Sequence, residues 1–381
     1  MALGDTFLTI TLDKPLYGGY AIGRHKGKAI LVPYGIPGEM VSVAITEDKK
    51  DYAFASIVSI IEQSDSRIIP QCPHFTVCGG CSYLHMPYDE ELSCKKSIVE
   101  DNLGRIAGLP AHLIPAIETV HDDRHNYRSH AALKAEKGLP GFYRKGTNDF
   151  VSIRKTGCLL LSRELNDWIL NDNVLPDDAR IAADTDSRII TSFGKNPVVA
   201  ERVGSLSFLR DIDRFFQANR CLRERMLDIV IGYAGINDDE VFMDFDCGVG
   251  FFTLPLAEAA GSGTGIDISE ENIRWARHNA RVNCLDNIRF QAMASSRVHP
   301  GRHHPDLVVI DPPRAGIDKK SRRTIMAMDP PRIVYVSCNP ATFSRDARDF
   351  VSGGYIIDRL TLIDMFPCTH HIELISLFVK K

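Results

Sequence analysis

The chain of 381 residues has no apolar run long enough to cross a bilayer as a helix, which takes about eighteen consecutive residues. Its amino terminus, "MALGDTFLTITLDK", lacks a basic segment followed by an apolar core, so neither export nor a membrane anchor is expected. It also has no excess of positive charge: 45 Lys and Arg face 49 Asp and Glu, for a net charge of -4. A wholly basic nucleic-acid coat is thereby excluded, although a local basic face is not. Cytoplasmic residence follows as the expectation. Ten cysteines in such a chain read as metal ligands, a nucleophile and core residues rather than disulfides.

Three textures succeed one another. Residues 1–62 alternate apolar and polar positions between turns carrying Gly18, Gly19, Gly27, Pro37 and Gly38, the pattern of a small OB-like barrel of about five strands. Residues 63–205 mix helical patterns with strands and loops. Within them Arg124, Arg128, Lys134, Lys137, Arg144, Lys145, Arg154 and Lys155 are interleaved with Tyr127, Phe142, Tyr143 and Phe150. Charge for phosphates beside rings for bases suits single-stranded RNA. Residues 206–381 alternate strand and helix, which predicts an α/β, Rossmann-like doubly wound sheet.

The third texture holds polar strand ends. "MDFDCGVGFFTLPLA" places Asp244 and Asp246 ahead of Gly248 and Gly250, but the third glycine of a dinucleotide fingerprint is missing. Asp267 follows about twenty residues later, where an acid accepts ribose hydroxyls. Adenosine without a pyrophosphate fits this pair, and S-adenosylmethionine is the commonest such ligand. In "VVIDPPRAG" Asp311 precedes two prolines, and Arg314 stands where methyltransferases acting on adenine amines carry a stacking ring. Methylation of an exocyclic amine is demoted accordingly. "VYVSCNPATFSRD" ends a buried strand abruptly at Ser337, and Cys338 then sits where open α/β sheets keep their sites.

"PQCPHFTVCGGCSYLH" brings Cys72, Cys78 and Cys81 together with five and two residues between them. Zinc or an iron-sulfur center would need a fourth thiolate. Cys158 in "RKTGCLLL" fits best, whereas Cys94 lies in what reads as a solvated helix. Radical enzymes that use S-adenosylmethionine have a three-and-two spacing, which is absent.

These residues resemble, in order and over nearly the whole chain, the RNA 5-methyluridine (uracil-C5) methyltransferases that carry an amino-terminal TRAM barrel and a 4Fe-4S cluster. "GGYAIGRHKGKAILVPYGIPGE" is similar to the TRAM core, "CPHFTVCGGCSYLH" with Cys158 to the cluster site, and "FFQAN", "DPPRAG", "SCNPATFSRD" and "HHIELI" follow. The resemblance implies that Gln217, Asp246, Gly248, Asp267 and Asp311 contact S-adenosylmethionine. It also implies that Cys338 is the nucleophile, Glu373 the base, and Cys72, Cys78, Cys81 and Cys158 the ligands of a structural 4Fe-4S cluster in the central domain. The implied partner is structured RNA, ribosomal in preference to transfer RNA, and the implied state is a monomer. Asp246 replaces an aromatic residue, Phe251 a small one and Asp267 the commoner glutamate. A methyltransferase for another nucleophile, or an RNA-binding or redox-sensing protein with a vestigial site, are the competing readings. Cys338 discriminates, because only carbon methylation of the pyrimidine needs a covalent thiolate.

Overall fold

The structure, a computed structural model, describes residues 7–195 and 197–381; residues 1–6 of the expected barrel segment lie outside them. Strands β1 (Leu8–Leu16), β2 (Tyr20–His25), β3 (Lys28–Pro33), β4 (Met40–Asp48) and β5 (Tyr52–Glu62) close into a barrel in the order β1-β2-β3-β5-β4. Ile10, Leu12, Val32, Val41 and Val43 point into its core, as period-two alternation dictates. The segment Tyr17–Gly19 between β1 and β2 leans out of the barrel. Gly19 has φ +78°, and a Cβ there would lie 2.7 Å from Ser82 Oγ, so only glycine allows this close approach.

Helix α1 (Tyr88–Arg105) and strand β6 (Ile117–Val120) come next. They are followed by β7 (His130–Glu136), β8 (Leu139–Tyr143), β9 (Phe150–Ser152), α2 (Arg163–Leu170), β10 (Ala179–Ala183) and β11 (Ile189–Thr191). These strands form a sheet in the order β11-β10-β7-β8-β9, on which α2 buries Leu165 and Ile169. A hairpin of β12 (Val198–Val203) and β13 (Leu206–Asp211) leads into the last part.

That part contains α3 (Arg223–Ala234), β14 (Val241–Phe245), α4 (Thr253–Ala257), β15 (Ser262–Asp267), α5 (Glu270–Val282) and β16 (Ile288–Ala292). It ends with β17 (Leu307–Ile310), α6 (Lys319–Met328), β18 (Arg332–Ser337), α7 (Pro340–Ser352), β19 (Tyr355–Ile363) and β20 (Glu373–Lys380). The eight-stranded sheet runs β16-β15-β14-β17-β18-β20-β19-β6, with β20 antiparallel to both of its neighbours. Helices α3, α4 and α5 cover one face, and α1, α6 and α7 the other. A largely parallel sheet needs both faces covered.

Two elements of the stretch expected as a central domain, residues 63–205, thus belong to the catalytic layer. Strand β6 pairs with β19, and α1 inserts Ile98, Val99 and Leu103 into the core. The solvated reading of α1 is corrected: Cys94, Glu91 and Lys95 are all buried. Its charges misled because they are paired internally. Lys95 Nζ lies 2.8 Å from Glu91 and 2.7 Å from Asp364, and Arg124 lies 2.9 Å from Glu91.

Candidate active site

Cys338 owes its position to a strand and a helix that meet almost without a loop. Ile333 to Val336 are fully buried in β18. Asn339 then caps α7 by accepting from the Ala341 N–H, and Pro340 occupies the first turn, where its missing N–H costs nothing. Cys338 is left half-buried at the carboxyl edge of the sheet. Ser337 and Leu374 form the last pair of the antiparallel β18–β20 ladder, so Cys338 and Glu373 leave it at the same end, close enough for the Glu373 charge to act on the thiol. Glu373 is 4% exposed.

Burial and crowding of like charge govern this end of the site. Burial pushes the Cys338 thiol up to about 12, helped by Glu373 and Asp311 and opposed by Arg314. The Glu373 carboxyl is raised well above its usual range by burial and then by Asp311, again against Arg314. Arg314 is therefore the local cation, and sequence reasoning had treated it only as a missing ring. Its Nη2 lies 3.3 Å and 3.4 Å from the two ring nitrogens of His371. Its carbonyl accepts from Asn339 Nδ2 at 3.1 Å and Thr342 Oγ1 at 3.3 Å, strapping the two loops together.

The second half of the site is acidic. Asp246 has φ +60° in the loop after β14, and Gly250 has φ +94° with Leu254 Cδ1 2.3 Å from where a Cβ would sit. Asp267 Oδ2 accepts from the Gly248 N–H at 2.9 Å, and its Oδ1 from the Ser269 N–H at 2.7 Å. Asp267 therefore braces the glycine loop, a role its spacing alone does not reveal. Burial, then Asp267, lifts Asp246 to about 6; burial, then Asp246, lifts Asp311 to about 7. No lysine or arginine among the described residues relieves these carboxyls. Asp244 Oδ1 and Gln217 Oε1 are buried without a partner. Such an acidic cluster suits a cationic ligand with hydrogen-bond donors, which a sulfonium carrying an amine and ribose hydroxyls supplies. Phe251 is core: its ring packs 5.2 Å from that of Phe216, beside Gln217.

Cys72, Cys78, Cys81 and Cys158 all line one cavity of about 260 Å³, walled by Phe75, Phe142 and Leu160. Cys94 is elsewhere, packed with Ile36, Tyr83 and Met86. Among the described residues no three side chains approach closely enough to hold a single metal ion. The cysteine loop abuts the catalytic segment: Ser82 and Tyr83 donate their N–H groups to the Cys368 carbonyl at 2.8 Å and 3.1 Å. Ser82 Oγ lies 3.2 Å from His370 Nδ1.

The barrel reaches the same place. Tyr17 donates its hydroxyl to the Cys338 carbonyl at 3.2 Å, and its ring meets His370 edge-on at 6.0 Å. Nothing in the local sequence distinguishes Tyr17 from any turn residue; only the fold brings it across 321 positions.

Comparison with known proteins agrees with this geometry. Residues 7–58 match a TRAM domain model, residues 236–299 a methyltransferase domain model, and residues 298–381 a tRNA (Uracil-5-)-methyltransferase model. A relative from Aquifex aeolicus, described as an uncharacterized RNA methyltransferase, is 32% identical over 99% of each chain. The 23S rRNA (uracil(1939)-C(5))-methyltransferase RlmD of Aeromonas hydrophila is 30% identical, covering 98% of this chain and 96% of its own. The Pyrococcus abyssi tRNA (uracil-54, C5)-methyltransferase, solved with S-adenosyl-L-homocysteine, superposes with a TM-score of 0.74 over 97% of this chain and 100% of its own. At 24% identity that likeness is one of fold. No helix among the described residues is long and apolar enough to cross a membrane. With full-length relatives and ordered family matches, this chain belongs to the S-adenosylmethionine-dependent RNA (uracil-C5)-methyltransferases that carry a TRAM barrel.

Proposed function

We propose that the enzyme makes 5-methyluridine in a structured RNA through a covalent bond between Cys338 Sγ and carbon 6 of the target uridine. The observation that carries this reading is that Cys338 and Glu373 lie at the same end of the β18–β20 ladder, where the Glu373 charge acts on the Cys338 thiol. Ribosomal RNA is the preferred substrate, since a 30% identical relative that covers 98% of this chain is named for 23S rRNA.

Carbon 5 of uridine is too weak a nucleophile to take a methyl group unaided. When the Cys338 thiolate bonds to carbon 6, the 5,6 double bond opens and its electron pair moves to carbon 5 as an enolate. S-Adenosylmethionine, when bound, supplies the electrophilic methyl group that carbon 5 takes. Glu373 then removes the proton from carbon 5, the carbon-sulfur bond breaks, and the thiolate leaves as the double bond reforms. A carboxyl lifted by burial holds that proton better than an exposed one. Arg314 is the charge that favours the thiolate in a site that otherwise opposes it. Gln217, Asp246, Gly248, Asp267 and Asp311 are proposed to hold the methyl donor, Asp267 through the loop it braces.

Cys72, Cys78, Cys81 and Cys158 are proposed to hold a 4Fe-4S cluster, which spreads its four thiolates further apart than one metal ion does. Their shared apolar cavity supports this. Its role is read as structural, holding the loop that clasps Cys368 ahead of Glu373.

The test is trapping. Glu373→Gln keeps the shape but cannot take the proton, so a methylated RNA–protein adduct stable in denaturant is expected to accumulate. Cys338→Ala should abolish both the adduct and methyl transfer. Turnover of Glu373→Gln at the parent rate without adduct would remove Glu373 from the role of base, and methylation by Cys338→Ala would end the covalent reading.

A further inference from the structure

Most basic residues of the stretch expected to grip RNA already have partners. Arg124 binds Glu91 and the carbonyls of Tyr83 and Met86, and Lys134 binds Asp178. Arg154 is held by the carbonyls of Ile169 and Asn173, Arg128 by that of His130, and Arg144 faces Asp149. Lys137 and Lys155 are exposed. Lys145 differs from all of these: its Nζ is shielded from solvent and has no hydrogen-bond or ion-pair partner among the described residues.

That ammonium rests on two ring faces of the barrel, 4.7 Å from the center of Tyr20 and 5.6 Å from that of Tyr34. The Tyr34 hydroxyl is likewise buried without a partner. The rings offset part of the lost hydration but supply no counter-charge. The position is rigidly defined. Gly79 donates its N–H to the Tyr143 carbonyl at 3.0 Å, Cys78 bridges Arg144, and a Cβ on Gly79 would sit 3.2 Å from Lys145 Cα. On the catalytic side the Lys145 charge is felt by His370, whose ring also meets Tyr17. Barrel, cysteine loop and catalytic segment therefore converge on one cation that has no hydrogen-bond or ion-pair partner among the described residues.

We propose that Lys145 and the Tyr34 hydroxyl bind one phosphodiester of the RNA, next to the uridine presented to Cys338. The assignment rests on the RNA methyltransferase reading and adds a specific anion site to it. A phosphodiester oxygen supplies both things missing here, a negative charge for the ammonium and an acceptor for the hydroxyl. The flexible four-carbon stem lets the ammonium leave the rings to meet it.

The experiment uses the full chain and an unmodified 23S transcript made in vitro. Binding is measured across a salt series for the parent, Lys145→Met and Lys145→Arg, and phosphate-ethylation interference is mapped on the same transcript. Lys145→Met should bind about tenfold more weakly at low salt, with the slope of log affinity against log salt reduced by roughly 0.7, the contribution of one contact to an unpaired strand. Interference should vanish at a single linkage flanking the methylated uridine, and Lys145→Arg should restore the slope. An unchanged slope in Lys145→Met, or interference lost at no linkage or at many scattered ones, would overturn the assignment. Whether the parent methylates a uridine in the transcript is scored separately, so failure of the enzyme reading is distinguishable from failure of this one.

Discussion

If the acidic residues hold the methyl donor as proposed, its binding should be a proton-linked event. Asp246 and Asp311 are raised to about 6 and about 7 by burial and by neighbouring carboxyls. Both are raised above the ordinary carboxylate range. Their contribution to the stability of the protein without bound ligand should therefore be full at low pH and be lost as pH rises through those values. A sulfonium ligand favours the ionised forms and reverses the trend. Lowering the pH from 8 to 5.5 should weaken S-adenosylmethionine binding by roughly tenfold or more as the interacting pair of carboxylates takes up its first proton, if both stay ionised in the complex. Calorimetry at pH 5.5, 6.5 and 7.5 measures this directly, and buffers of different ionisation enthalpy count the protons released near pH 6.5. S-Adenosylhomocysteine, whose sulfur is neutral, should show a shallower dependence, and Asp311→Asn should remove the larger part of it. A flat pH profile, or proton uptake on binding, would refute the electrostatic account of the cleft.

Anaerobically purified protein should contain matching iron and acid-labile sulfide; Cys158→Ser should lose both, and Cys94→Ser should keep them while losing about 1 kcal/mol of stability from its packing against Ile36, Tyr83 and Met86. Stoichiometric zinc without sulfide would replace the cluster by a different center. Tyr17→Phe removes the donor to the Cys338 carbonyl and should slow single-turnover adduct formation about fivefold with RNA affinity unchanged. An equal loss in RNA affinity would make Tyr17 a docking residue instead.

The parts legible in the sequence are those whose signal is local. The alternation of "LTITLDK" and "AILVP" implies a barrel, and the buried run Ile333–Val336 stopped by Ser337 implies a strand end with Cys338 upon it. The glycine loop after β14 and the "DPPRAG" loop after β17 are contiguous in the same way. Charge was the poorest guide. Glu91 and Lys95 suggested a solvated helix although both are buried, because a second partner of Lys95, Asp364, lies 269 residues away. The basic stretch from Arg124 to Lys155 suggested a uniform RNA face, yet several of its cations hold carbonyls or carboxylates of their own fold. Asp267 has the spacing of a ribose acceptor, while its oxygens also take the N–H groups of Gly248 and Ser269.

What the sequence determined by itself is the class of chemistry and the elements that carry it, since strand periodicity, glycine turns and a cysteine at a strand end are set by neighbours a few residues apart. What only the tertiary structure decided is who faces whom. The β18–β20 ladder brings Cys338 and Glu373 to the same end of the sheet, the barrel turn brings Tyr17 to the Cys338 carbonyl, and the Lys145 ammonium is left shielded from solvent without a hydrogen-bond or ion-pair partner among the described residues. Desolvation and Coulomb interactions depend on distances between elements that the chain joins only on folding, so no window of sequence contains them.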